Sequence, residues 1–143
     1  MSTRPEPRDG AETEALVEAV LGIAIHRHLG LGLVRHGEGE ATLAFNAGPA
    51  TQTNTGAVHG GVLSLLFEPA ALIALIPLLG RQEYAATIDV SVSLMSAVPA
   101  GAQVRLDAKV LRRGRSLAFV AVEAEAEGRV CAAARITKAI TTT

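Results

Sequence analysis

The sequence predicts an α+β domain in which a long antiparallel sheet curls around one apolar helix. Residues Val62–Leu79 form an oily run, broken only by Ser64, Glu68, Pro69 and Pro77. A helix that is hydrophobic nearly all round has to be covered on all sides. Four later stretches alternate apolar and polar residues, the period of a half-buried strand. The order is helix, short strands, apolar helix, then four long strands, an α+β pattern.

The bulk numbers bound the rest. A chain of 143 residues suits one domain, and 49% hydrophobic residues supply a core. Aromatics are only 3%, so that core is built from Val, Leu, Ile and Ala. A net charge of −1 gives no general attraction to nucleic acid or anionic membrane. The single cysteine, Cys131, excludes an internal disulfide framework and fits a reducing compartment. The start, "MSTRPEPRDGAETEA", lacks the apolar segment of a signal peptide. The oily run is too interrupted for a span of about 20 uncharged residues. A soluble, cytoplasmic protein is expected, with no nucleic-acid or membrane partner. Residues 1–11 read as a flexible tail and 12–143 as a single domain.

Each element has its own warrant. Leu16, Val17, Val20, Leu21 and Ala24 recur at helical spacing, behind acids at Glu12, Glu14 and Glu18 that suit the helix dipole. One helix over Ala11–His28 is expected, ending before Gly30. Leu31–Phe45 alternates around Gly37-Glu38-Gly39, a hairpin pattern. Asn46–Gly56 is rich in turn formers. The apolar helix follows, from about Gly60 to Leu79. Ile88–Leu94, Val104–Val110, Leu117–Glu125 and Arg129–Ile140 alternate as strands, separated by "VPAG", "RRGR" and "EGR". They are expected to form one meander.

The stretch "GAVHGGVLSLLFE" carries the chemistry. It is followed by "TIDVSVSLMSAVPAG" and "RRGRSLAFVAVEAEAEGRV". Together these resemble the hotdog-fold acyl-CoA thioesterases of the 4-hydroxybenzoyl-CoA thioesterase superfamily, nearest the branch with the phenylacetate-pathway enzymes. That family pairs G-x-x-H-G-G with an Asp or Glu nine residues after the histidine, and Glu68 stands nine after His59. The resemblance covers residues 30–140. It implies the hotdog fold, an acyl-CoA substrate, the Gly60 amide as oxyanion donor and an active site shared in a homodimer, with a dimer of dimers expected.

The residues support a physical reading of their own. A helix N-terminus offers unpaired N–H groups and partial positive charge, and glycines there admit close approach. Gly60 and Gly61 can therefore polarise a thioester carbonyl, or simply make a tight turn. Glu68 can activate water or attack directly. Alternatively it pairs with an arginine such as Arg81, or sits at an exposed edge. Gly61 and Glu68 are nearly two turns apart, about 10 Å along the axis. One carbonyl carbon cannot touch both, so an antiparallel partner helix is expected to complete the site. Pro69 removes the hydrogen bond to the Leu65 carbonyl. Its bend either aims Glu68 or lets the helix follow the sheet. His59 either fixes the loop through a backbone hydrogen bond or acts as a base.

Other residues complete the candidate set. The resembling family has an asparagine six before its histidine. Here that position is Thr53 and Asn54 is five before, so either can fill the role. Thr87 matches a Ser or Thr that orients the attacking water, or is ordinary strand polarity, on one face with Asp89, Ser91 and Ser93. Arg112, Arg113, Arg115 and Ser116 surround a turn glycine. They suit coenzyme A phosphates, or are a solvated turn. His26 and His28 fall about 200° apart on a helix and cannot share a metal, and no zinc spacing exists. No serine-hydrolase elbow, P-loop or dinucleotide fingerprint is present. No cofactor is expected, since coenzyme A is part of the substrate. The competing function is a hotdog protein that binds acyl-CoA or a small ligand without turning it over. A hotdog hydratase lacks its Asp/His pair here.

Overall fold

The computed structural model describes residues 5–143. Six antiparallel strands form one sheet: β1 (Gly32–Gly37), β2 (Glu40–Asn46), β3 (Glu83–Leu94), β4 (Gln103–Arg113), β5 (Leu117–Ala126) and β6 (Arg129–Thr142). Their order is β1-β2-β4-β5-β6-β3. Helix α3 (Gly60–Leu75) lies on the concave side, chiefly against β4, β2 and β5, with Leu66, Phe67, Ile73 and Leu75 fully buried. This is the hotdog arrangement. The segment Gly60–Leu78 is long and apolar enough to cross a membrane, yet here it is the core helix.

The N-terminal region departs from expectation in two ways. The helix is broken into α1 (Gly10–Leu21) and α2 (Ala24–His28), with Gly22 as the C-cap and Ile23 extended. The ring of buried His26 bonds the Val20 carbonyl (2.7 Å), so the break leaves that acceptor satisfied. The expected tail ends early as well. Residues 1–4 of it lie outside the described residues. Pro7 bridges Gly80, and the Arg8 guanidinium reaches the carbonyls of Leu79, Arg81 and Glu83. Asp9 then caps α1 in a reciprocal box with Glu12.

The four long strands do not form one meander. β4, β5 and β6 do, but β3 pairs with β6 at the sheet edge. "VPAG" is therefore not a hairpin turn. Residues 95–102 carry the chain past the start of α3, with Val98 buried and its carbonyl taking the Val58 N–H. The β1–β2 hairpin turns at Gly39 (φ 80°), as its sequence predicts. β3 and β6 register with a bulge between Thr87 and Asp89. Before the bulge, Thr87 opposes buried Lys138; after it, Val90 opposes buried Ile136. The extra residue, Ile88, inverts the alternation. Thr87 thus faces the helix, while Asp89, Ser91 and Ser93 face the other way, opposite Thr137, Arg135 and Ala133. The single polar face expected for these four residues does not exist.

Candidate active site

The start of α3 is pinned from both sides. The His59 N–H bonds the Thr51 carbonyl (2.7 Å), and the Val58 N–H bonds Val98 (2.9 Å). His59 is the N-cap: its Nδ1 accepts from the Gly61 N–H at 2.8 Å. An accepting Nδ1 leaves the proton on Nε2, and the ring serves the loop as one of the two sequence alternatives proposed. This corrects the expectation for Gly61, whose amide is already committed. A Cβ there would lie 2.9 Å from that nitrogen. The Gly60 N–H donates to nothing among the described residues. A Cβ on Gly60 would lie 2.5 Å from Leu94 Cδ1, so the glycine admits β3 against the helix start.

Two turns along, Glu68 points to β3. The Thr87 hydroxyl donates to its Oε2 at 2.8 Å, and Lys138 Nζ donates to Thr87 Oγ1 at 2.8 Å. Glu68 Oε1 is buried without a partner. Lys138 is only 3% exposed, and burial lowers its pKa from the ordinary lysine value, with the Glu68 charge pulling the other way. Arg81, the alternative partner for Glu68, binds Glu6 and Glu12 instead. Pro69 is buried inside α3, which continues through it.

Sequence reasoning missed Lys138. The signal was present in parity: Ala134, Ile136, Lys138 and Ile140 all face the helix. A lysine in an inward series of apolar residues is costly unless paired.

The arginine turn divides. Arg113 is not free for a substrate phosphate. It bonds the carbonyls of Leu78 (3.1 Å) and Gly114 (2.6 Å) and the Glu83 carboxylate. Burial would raise the Glu83 carboxyl; the Arg113 hydrogen bond, the Gly80 amide and the charges of Arg113 and Arg8 outweigh it and hold it below its ordinary value. Arg112, Arg115 and Ser116 are exposed at the turn. Arg113, Ala118, Lys138 and Thr87 are successive cross-strand partners, so turn and carboxylate share one end of the sheet. Three strand spacings separate them, roughly 14 Å. Asn54 is exposed in its loop, and Thr53 bonds Thr55. A cavity of about 670 Å³ lies on the outer sheet face around Arg105 and Asp107, and two smaller ones flank Arg113; Glu68 lines none of the three.

Fold and site define a class: a hotdog domain whose central helix carries a glycine start and, two turns on, a half-buried carboxylate with one oxygen enclosed. The chain belongs to the thioesterase superfamily, which it matches over residues 55–138. Among solved structures it is similar to the phenylacetic acid degradation protein PaaI from Thermus thermophilus, in an Asn-to-Asp variant. They share 25% identity over 80% of this chain and 96% of that one, with a TM-score of 0.75. A conserved protein from Pseudomonas aeruginosa is also 25% identical, covering 86% of this chain and 98% of that one at a TM-score of 0.80. A Haemophilus influenzae thioesterase shares the fold at a TM-score of 0.83 and 20% identity, over 98% and 96% of the two chains. No curated protein sequence matches the chain.

Proposed function

We propose that this protein hydrolyses acyl-CoA thioesters, with Glu68 as the reacting carboxylate. The carrying observation is the buried Glu68 Oε1, left without a partner while Thr87 holds Oε2. A buried acceptor with nothing to accept is costly unless a ligand or water fills it. Water attacks the carbonyl carbon as Glu68 takes its proton, or Glu68 attacks first and water releases the acid. The oxyanion collapses, the C–S bond breaks, and the thiolate collects a proton. The products are a free acid and coenzyme A. Thr87 orients the carboxylate, and Asn54 or Thr53 contacts the acyl carbonyl or the water. Arg112, Arg115 and Ser116 meet the phosphates.

The reading includes a homodimer, with paired dimers as the larger assembly. Gly60 and Glu68 are eight residues apart on one helix, about 12 Å along the axis. The Gly60 amide of a partner chain is the oxyanion donor to this Glu68. Edge strand β3 supports this, since Tyr84, Ile88, Val90, Leu94 and Met95 are all exposed on or beside it. A long apolar edge with free backbone groups invites a second strand. A cytoplasmic location fits the free, buried thiol of Cys131.

Thiol release from a panel of acyl-CoAs tests the activity, with Glu68→Gln as the control expected to lose it. Tight acyl-CoA binding without thiol release would select the non-catalytic alternative. Mixing Glu68→Ala with Gly60→Pro tests the shared site. Proline suits the first helical position, and the extended His59 (φ −64°, ψ 127°) tolerates it; the Gly60 N–H is lost, and the added Cβ obliges the exposed Leu94 side chain, 2.5 Å away, to move aside. Mixed dimers should recover part of the activity. No recovery, in a mixture shown to exchange subunits, would refute the shared site.

A further inference from the structure

Lys138 belongs to no motif of the chain, yet it is the buried cation nearest the carboxylate. It lies on β6 between inward-facing Ile136 and Ile140 and opposes Thr87 across the strand pair. An ammonium group can only donate. The Thr87 hydroxyl must therefore accept from Lys138 at 2.8 Å, and its one proton must go to Glu68 Oε2. The direction of both hydrogen bonds follows from one charge. Glu68 is left with Oε1 as its unengaged oxygen.

Stability gives no reason to keep this lysine. Burying a charge costs several kcal/mol, and a well-packed apolar residue commonly does as well. Its use must lie in what it does to its neighbours. We infer that Lys138 is a positioning residue: acting through Thr87, it holds the Glu68 carboxylate oriented, with Oε1 presented to the attacking water. This rests on the thioesterase reading for its purpose, but not for its electrostatics.

Other charges facing the helix do not substitute for it. The faces that β2, β4 and β5 turn to α3 carry no titratable side chain until Arg113, and that guanidinium is engaged by Glu83 of β3. His36 of β1 is bonded to Glu14 of α1. On α3 itself, His59 is about 14 Å away along the axis. Cys131 lies at the other end of β6.

The test titrates Glu68 directly, by ¹³C NMR of the side-chain carboxyl in glutamate-labelled full-length protein. The signal is assigned by its loss in Glu68→Gln. Wild type is compared with Lys138→Met, Lys138→Gln and Thr87→Val, and the pH profile of kcat/KM on an acyl-CoA is recorded in parallel. Removing a nearby cation favours the neutral acid. Lys138→Met should move the titration midpoint up, and the acidic limb of the rate profile should move with it. Lys138→Gln keeps an N–H donor for Thr87 but loses the charge. It should show the same upward shift, and it serves if Lys138→Met does not fold. Thr87→Val should cost activity about tenfold with a smaller shift, since the charge remains. An unchanged midpoint in both Lys138 variants overturns the inference, whatever the activity. A shifted midpoint in a protein that releases no thiol upholds the coupling and sinks the thioesterase reading instead.

Discussion

Glu68, half-buried on α3 against β3, and Glu83, buried at the start of β3, are carboxylates at the same end of the sheet, yet they are built to opposite ends. One Glu83 oxygen takes the Gly80 N–H (2.7 Å) and the Arg113 guanidinium, and Arg113 and Arg8 also tie down the neighbouring carbonyls. Glu68 has one hydroxyl donor, one lysine behind it, and an oxygen with no partner. A carboxylate closed in by its own chain is a fastening. One whose unspent oxygen is buried is prepared for something the chain does not supply. Glu83 is the more buried of the two, so burial of the residue does not by itself mark function. Each spends one oxygen on its own chain; what separates them is that the second oxygen of Glu68 is buried without a partner, and that of Glu83 is not among the buried unpaired atoms.

Exchanging the two acids for amides is the strongest challenge to that comparison. Glu68→Gln should lower kcat/KM for acyl-CoA hydrolysis about a thousandfold while urea denaturation stays close to wild type. Glu83→Gln should do the reverse, costing about 3 kcal/mol of stability with kcat within a few-fold of wild type. Similar activity losses in both would erase the distinction.

The pH dependence sharpens it. The Glu83 carboxyl sits below its ordinary value of 4.5 in the fold. Its contribution is therefore present above that value and lost as pH falls through the lower folded value. The stability gap between wild type and Glu83→Gln should narrow between pH 6 and pH 3 in chemical denaturation. A gap that widens on acidification would contradict the ion pair.

His59→Ala distinguishes a fastening from a reacting group at the other end of the helix. Loss of an N-cap costs about 1 kcal/mol, and kcat should hold within a few-fold once the protein is folded. A hundredfold drop in kcat would return His59 to the chemistry.

The smallest effect concerns Lys138. Its folded pKa lies below the ordinary 10.5 because burial disfavours the charge. Between the folded and unfolded values the unfolded chain binds more protons, so wild type gains stability as pH rises there. Relative to Lys138→Met, wild type should become more stable as pH approaches 10.5, read as a converging or crossing pair of Tm curves.

Much of this was open to a reader of the sequence. His59-Gly60-Gly61 with Glu68 nine residues after His59 is a local pattern, and so are the apolar helix, the Gly39 hairpin and the alternating strands. Each depends on residues close in the chain, where helical rise and strand pleat set the geometry directly. What failed depended on distant partners. Gly22 looks like any residue of a continuing helix until His26 folds back onto Val20. "VPAG" looks like a hairpin turn until β3 is seen paired with β6.

The two most consequential site details are of that second kind. The period-two alternation of β3 cannot reveal that Ile88 is an extra residue, because a bulge exists only relative to a partner strand. That one insertion turns Thr87 from the face of Asp89 to the face of Glu68. Likewise, "RRGRS" does not say which arginine is spent; packing Glu83 beside Arg113 decides it and leaves Arg112 and Arg115 at the surface. The sequence by itself determined the helix, the strands and the acid in register, since those follow from spacing along one chain. Only the tertiary structure decided which polar groups meet, since that follows from pairings between residues as far apart as Glu68, Thr87 and Lys138.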